Sequence, residues 1–147
     1  MKILIAHGPN LNMLGIREPN IYGSETLSSI NEKITQHALS KDVKIECHFY
    51  QSNVEGFLID QIHKAFADGF AGIVINPAGL THTSVALRDA ISAVALPTVE
   101  VHLSNVHARE EFRQHSFIAA VAIGQIAGFG IKGYMMAVDG LIDYLNR

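Results

Sequence analysis

Gly72-Ile73-Val74-Ile75-Asn76 is an apolar run stopped by Pro77, and the segment from Thr83 to Val94 behind it reads as a helix closed before Pro97. A short continuous apolar stretch between breakers is the pattern of a strand buried on both faces. The same alternation extends to either side. Upstream, Ile3–Ala6 is a buried-type strand ended by Gly8-Pro9, and Ser24 is placed to cap a helix carrying Leu27, Ile30, Ile34 and Ala38. Val43, Ile45, Cys47 and Phe49 alternate with polar residues, which predicts a strand with one more polar face. Ser52 or Asn53 then caps a helix through Val54, Leu58, Ile62 and Ala65 that ends near Gly69. Downstream, Thr98–His102 is a fourth strand, and Ser104 or Asn105 caps a short polar helix over His107–Gln114. Phe117–Ile126 fits a fifth strand or a buried helix, and a last helix follows from Gly130 with Tyr134, Val138, Leu141, Ile142 and Leu145. Strands alternating with helices predict an α/β fold: a flavodoxin-like, doubly wound, five-stranded parallel sheet with helices on both faces and ligands at the carboxyl ends of its strands.

The length of 147 residues corresponds to one domain, 1–147, with no repeat or linker. Apolar residues make up 48% and charged residues 17%, a globular composition. Lys+Arg 11 against Asp+Glu 14 gives a formal charge of −3 without any basic run, which argues against nucleic acid or an anionic membrane as partner. The lone Cys47 has no partner for an internal disulfide, and the opening apolar run is too short for a signal-peptide core. A cytoplasmic protein is expected.

Unusual polar residues gather behind three strands: Gly8–Asn12, Asn76–His82 and His102–Arg113. In a parallel sheet these share one edge. A fourth group, Arg17 to Gly23, lies in the long connection from about Gly8 to Gly23, and connections of that length are usually functional lids or disordered. Glu100 and His102 are two apart on a strand and leave the same face. A carboxylate beside an imidazole fixes its tautomer and suits it to acid/base work, although the same pair also occurs as a satisfied buried contact. Arg109 and Arg113, four apart on the helix predicted there, make either an anion clamp or solvent-facing partners of Glu110 and Glu111. Tyr22 is a poor base unless a cation such as Arg17 stabilises its phenolate; otherwise it is a packing anchor.

Several chemistries are missing. No GxGxxG follows the first strand, no GxxxxGK[ST] or GxSxG motif is present, and the spacing of His102 and His107 matches no zinc site. His37, His48, His63 and His115 are expected to be surface or packing residues.

Three blocks carry a resemblance: Gly8-Pro9-Asn10-Leu11-Asn12 with Gly15-Ile16-Arg17-Glu18-Pro19 and Tyr22-Gly23; Asn76-Pro77-Ala78-Gly79-Leu80-Thr81-His82-Thr83-Ser84; and Glu100 through Arg113. In order and spacing the chain resembles the type II 3-dehydroquinate dehydratases over essentially its whole length. That resemblance implies cofactor-free, metal-free anti elimination of water from 3-dehydroquinate to 3-dehydroshikimate through an enolate, a step of the shikimate pathway, in a homododecamer of trimers. It implies Tyr22 as the base and Arg17, assisted by Arg109, as the group that lowers the tyrosine pKa. Asn10 would hold a water on the enolate oxygen, and His102, oriented by Glu100, would be the acid. Asn76, His82 and Arg113 would bind substrate, with Leu103 and Ser104 adding backbone and hydroxyl groups and Asp89 reaching a neighbouring subunit's site. Asn or Gln often precedes Gly-Pro-Asn in that family; here His7 stands there and implies an altered hydrogen bond beneath the site floor. The alternative from another class is a non-catalytic flavodoxin-like module that binds a polyol or nucleotide with the same strand ends.

Overall fold

Along β1 (Lys2–His7), alternation sends Ile3, Ile5 and His7 to one face of the sheet and Leu4 and Ala6 to the other, and all five are buried. The computed structural model describes residues 1–16, Asn20 and 24–147. Against one face of the sheet pack α1 (Leu27–Leu39), through Ile30, Ile34 and Ala38, and the carboxyl-terminal helix Lys132–Leu145, through Tyr134, Val138 and Leu141. Against the other pack α2 (Glu55–Ala67) and α3 (Val85–Val94), through Leu58, Ile62, Leu87 and Ile91. Each large side chain buried in this way contributes roughly 1.5–3 kcal/mol.

The remaining strands are β2 (Glu46–Gln51), β3 (Gly72–Asn76), β4 (Thr98–His102) and β5 (Gly124–Ala127), and Lys132–Leu145 is α4. They form one five-stranded sheet in the order β2-β1-β3-β4-β5, parallel at every pairing. The chain thus winds one way from β1 to β2 and the other way from β3 onward, so loops diverge from the carboxyl edge between β1 and β3 and leave a crevice there. The inner strands β1 and β3 are the ones with continuous apolar runs, and β2, an edge strand, has the alternation read from its sequence. Among the described residues no helix is long and apolar enough to cross a membrane.

Local details depart from the sequence reading in several places: the N-cap of α2 is Val54, with no side-chain cap, and not Ser52 or Asn53. Thr26, not Ser24, caps α1, its hydroxyl accepting the Ser29 N–H at 3.1 Å. The second strand starts at Glu46 rather than Val43, where pairing with β1 begins. The polar helix expected over His107–Gln114 is two 3-10 turns, Val106–Ala108 and Glu111–Gln114, with extended backbone at Arg109 and Glu110. Val106 is the segment's one buried side chain, too little apolar contact to hold a full helix, whose first turn is costly to form. The ambiguous stretch after Phe117 resolves as a 3-10 turn, Ala119–Val121, followed by β5 on the open edge of β4.

Candidate active site

Asn76 ends β3 and His102 ends β4, so the sheet itself carries polar side chains to the carboxyl edge. There a pocket opens, lined by Asn10 and Leu14 after β1, Asn76 and His82 after β3, and His102, Leu103, Ser104, Arg109 and Arg113 after β4. Gly8 makes the crevice possible: its amide donates to the Asn76 carbonyl at 2.7 Å, and a Cβ there would sit 2.5 Å from the Pro77 carbonyl oxygen. Two turns on the rim are in the left-handed region, at Asn10 (φ 70°) and Ala78 (φ 52°). Asparagine tolerates that conformation, whereas alanine there stores strain, and the Asn76 side chain holds that turn by accepting the Ala78 N–H at 3.1 Å.

Glu100 is fully buried, and donors converge on it from four segments. The His102 Nε2 lies 2.6 Å from Oε1, the Ser116 hydroxyl 2.9 Å from both oxygens, and the Gln125 amide 3.1 Å from Oε2; Thr81 adds a short hydrogen bond. Burial pushes the Glu100 pKa up, but the bonds from His102, Thr81 and Ser116 outweigh it and hold the carboxyl below its ordinary range. The carboxylate is therefore charged at neutral pH. It fixes the His102 ring with Nε2 inward, leaving Nδ1 as the nitrogen for a ligand, and His102 lines the pocket.

Beside it, His82 donates its Nδ1–H to the His115 carbonyl, 2.8 Å away. Burial holds the His82 imidazole below its ordinary pKa, against that bond and together with His102 and Arg113. Although no helix joins them, Arg109 and Arg113 both reach the pocket wall; Arg109 donates to the Ser104 hydroxyl at 3.4 Å, and Arg113 pairs with Glu110. Arg113 thus lines the pocket while paired with Glu110.

Residues 1–142 match the family described as Dehydroquinase class II. The chain belongs to that family. It is 56% identical to the 3-dehydroquinate dehydratase of Geotalea daltonii over the full length of both proteins. To the 3-dehydroquinate dehydratase of Gloeothece citriformis it is 57% identical, covering 99% of this chain and 93% of that one. Among solved structures it is similar to the type II dehydroquinase of Butyrivibrio crossotus, with TM-score 0.93, 52% identity and 97% of each chain covered. The type II dehydroquinase of Propionibacterium acnes follows at TM-score 0.87 and 38% identity, covering 99% of this chain and 97% of that one.

In this class II dehydroquinase, Asn10, Asn76, His82, His102, Leu103, Ser104, Arg109 and Arg113 meet around one pocket, with Glu100 behind His102. Asp89 is exposed on α3, outside that lining. Arg17 and Tyr22 lie outside the described residues. Among the described residues no group of three or more His, Cys, Asp or Glu is placed to hold a metal ion. Sequence reasoning missed the support beneath the pair: Thr81, Ser116 and Gln125 lie 19, 16 and 25 residues from Glu100, and no local spacing links them.

It also gave His7 no partners. The ring is fully buried, with Nδ1 2.8 Å from the Tyr134 hydroxyl and Nε2 2.9 Å from Asn31 Oδ1. Burial drives its pKa down to about 4, against the raising effect of the Asn31 bond. From pH 6.5 down to about 4 the unfolded chain takes up a proton here that the folded chain refuses, so folding stability falls as pH drops through that window, by about 3 kcal/mol in total. Urea titrations at pH 7, 5.5 and 4.5 should show this slope. A His7→Gln variant should lose most of it; an unchanged slope would place the acid sensitivity elsewhere.

Proposed function

We propose that the chain is a type II 3-dehydroquinate dehydratase, removing water from 3-dehydroquinate to give 3-dehydroshikimate, a step of the shikimate pathway. The Glu100–His102 pair carries this conclusion: a buried, charged carboxylate fixes an imidazole whose other nitrogen is left for a ligand at a pocket rimmed by two arginines. Family membership supplies the substrate class.

In the proposed reaction Tyr22, held as phenolate by Arg17, takes the proton alpha to the ketone, and the C–H electron pair becomes the enolate. Asn10 holds a water that hydrogen-bonds the enolate oxygen, and Arg109 adds positive charge. Such preorganised donors are where most of the acceleration originates. The enolate then collapses: its electrons form the new C=C bond, the C–O bond of the beta hydroxyl breaks, and His102 gives its proton to the departing oxygen, releasing water. Tyr22 ends with one proton more and His102 with one fewer, so exchange with solvent restores both. Asn76, His82, Arg113, Leu103 and Ser104 bind the carboxylate and hydroxyls. The proposed assembly is a cytoplasmic homododecamer in which the exposed Asp89 enters a neighbouring subunit's pocket.

The product is a conjugated enone and absorbs in the ultraviolet where the substrate does not. Adding 3-dehydroquinate to the purified protein should therefore produce a steady absorbance rise. Folded, concentrated protein that gives none would refute the activity and favour a non-catalytic polyol- or nucleotide-binding module.

A further inference from the structure

The segment 115–119 reaches both imidazoles of the pocket. The His115 carbonyl accepts from His82 Nδ1 at 2.8 Å, and the Ser116 hydroxyl lies 2.9 Å from each Glu100 oxygen, one of which holds His102 Nε2 at 2.6 Å. The polarity of the Ser116 hydroxyl is fixed. Its oxygen accepts from the Ile118 N–H at 3.1 Å and the Ala119 N–H at 2.9 Å, which fills both lone pairs. What it has left to offer is its hydrogen. Three oxygens stand 2.9 Å away, the two of Glu100 and Thr81 Oγ1, and the charged carboxylate is the stronger acceptor. Thr81 commits its own hydrogen to Glu100. The backbone locks this donor in place. The Phe117 N–H donates to the Thr81 carbonyl at 2.8 Å, the Arg88 guanidinium donates to the Phe117 carbonyl at 3.0 Å, and Ile118 is fully buried in the core.

We propose that Ser116 is a positioning residue for the proton transfer by His102: its hydroxyl, bridging both oxygens of Glu100, fixes the plane of that carboxylate and, through it, the direction of the ring that faces the substrate. The other donors do not form such a bridge. Thr81 and His102 both meet Oε1, and the remaining donor on Oε2 is Gln125, exposed on the edge strand β5. The last torsion of a glutamate is soft. Without the bridge the carboxylate turns more freely about its Cγ–Cδ bond, and the His102 ring loses its fixed direction. The bond from Ser116 is also one of those that keep Glu100 charged. The inference rests on the dehydratase reading for the step that His102 performs, and not for the hydrogen bonds that orient its ring.

Steady-state kinetics on 3-dehydroquinate test the effect on turnover. Ser116→Ala should lower kcat about tenfold, the usual cost of removing a group that orients a working imidazole, with KM within about twofold of wild type. Ser116→Thr keeps the hydroxyl and should restore most of the lost kcat. A merely structural loosening of the segment would instead raise KM, because the neighbouring His115 carbonyl holds the substrate-binding His82. If the alanine variant does not fold, Ser116→Cys, which keeps the size and has only a weak S–H donor, carries the same test. Unchanged kcat, or a fall in kcat that threonine does not restore, would overturn the proposal. Proton NMR without substrate tests the orientation itself. The His102 Nε2 proton, assigned by its absence from His102→Gln, should give a sharp downfield signal in wild type. In Ser116→Ala, or in the cysteine variant, it should move upfield, broaden and exchange faster with solvent; an identical signal sinks the positioning role. Inactive wild type in which that signal still depends on Ser116 would refute the dehydratase activity and uphold the orientation of His102 by Ser116.

Discussion

Replacing His102 by alanine should lower kcat by about 10²–10⁴-fold, the usual worth of a positioned general acid, while KM changes by only a few-fold. Hydroxide is a poor leaving group, so the enolate can lose it quickly only if a proton arrives as the C–O bond breaks. His102 is the described residue best arranged to bring one: Glu100 holds Nε2 at 2.6 Å and leaves Nδ1 for the ligand. The variant should still fold. After removal of the imidazole the Glu100 carboxylate retains its bonds from Thr81, Ser116 and Gln125, so no unpaired charge is left buried. A near-native urea midpoint together with the collapsed kcat would separate catalysis from stability. Turnover within about tenfold of wild type would remove His102 from the role of acid.

Tyr22→Phe should have an effect of the same order on kcat, about 10²–10⁴-fold, for the opposite proton. The hydrogen alpha to a ketone is weakly acidic and needs a base that is itself unprotonated. Glu100 is enclosed by donors and His102 is committed to the leaving group, so neither serves. A phenol ordinarily titrates near pH 10, which makes Tyr22 a base only beside a cation, and Arg17 is five residues away on the same connection. Phenylalanine keeps the ring and loses only the oxygen, so calorimetric titration with 3-dehydroquinate should show binding within a few-fold of wild type. An Arg17→Ala variant should move the pH–rate profile as well as depress turnover. If Tyr22→Phe turned over normally, the base would have to be sought elsewhere in the pocket.

The residues of the site differ in how the chain reveals them. Glu100 and His102 are visible in sequence because strand alternation puts residues two apart on one face, and β4 is a strand with that alternation. The place of Arg109 and Arg113 at the pocket was legible in the residues and not in their backbone. A helix was expected, and two 3-10 turns with an extended joint bring the same guanidiniums to the pocket. Side-chain reach, not helical spacing, joins them there. His7 is the opposite case. The residue stood out as a departure from its family's usual Asn or Gln, yet its partners Asn31 and Tyr134 are 24 and 127 positions away.

By itself, the amino-acid sequence determined the alternation of strands and helices, the family and most of the residues around the pocket. Those properties are set by short-range periodicity and by motifs whose members are neighbours along the chain. Only the tertiary structure decided which donors surround Glu100 and which side chains meet the buried His7 ring. Those contacts follow from sheet register, with His7 beside Asn76 and Glu100 beside Gln125, and from the docking of α4 on the sheet. Register and docking are set by the whole core at once, because a buried face must be filled by side chains from every element that covers it.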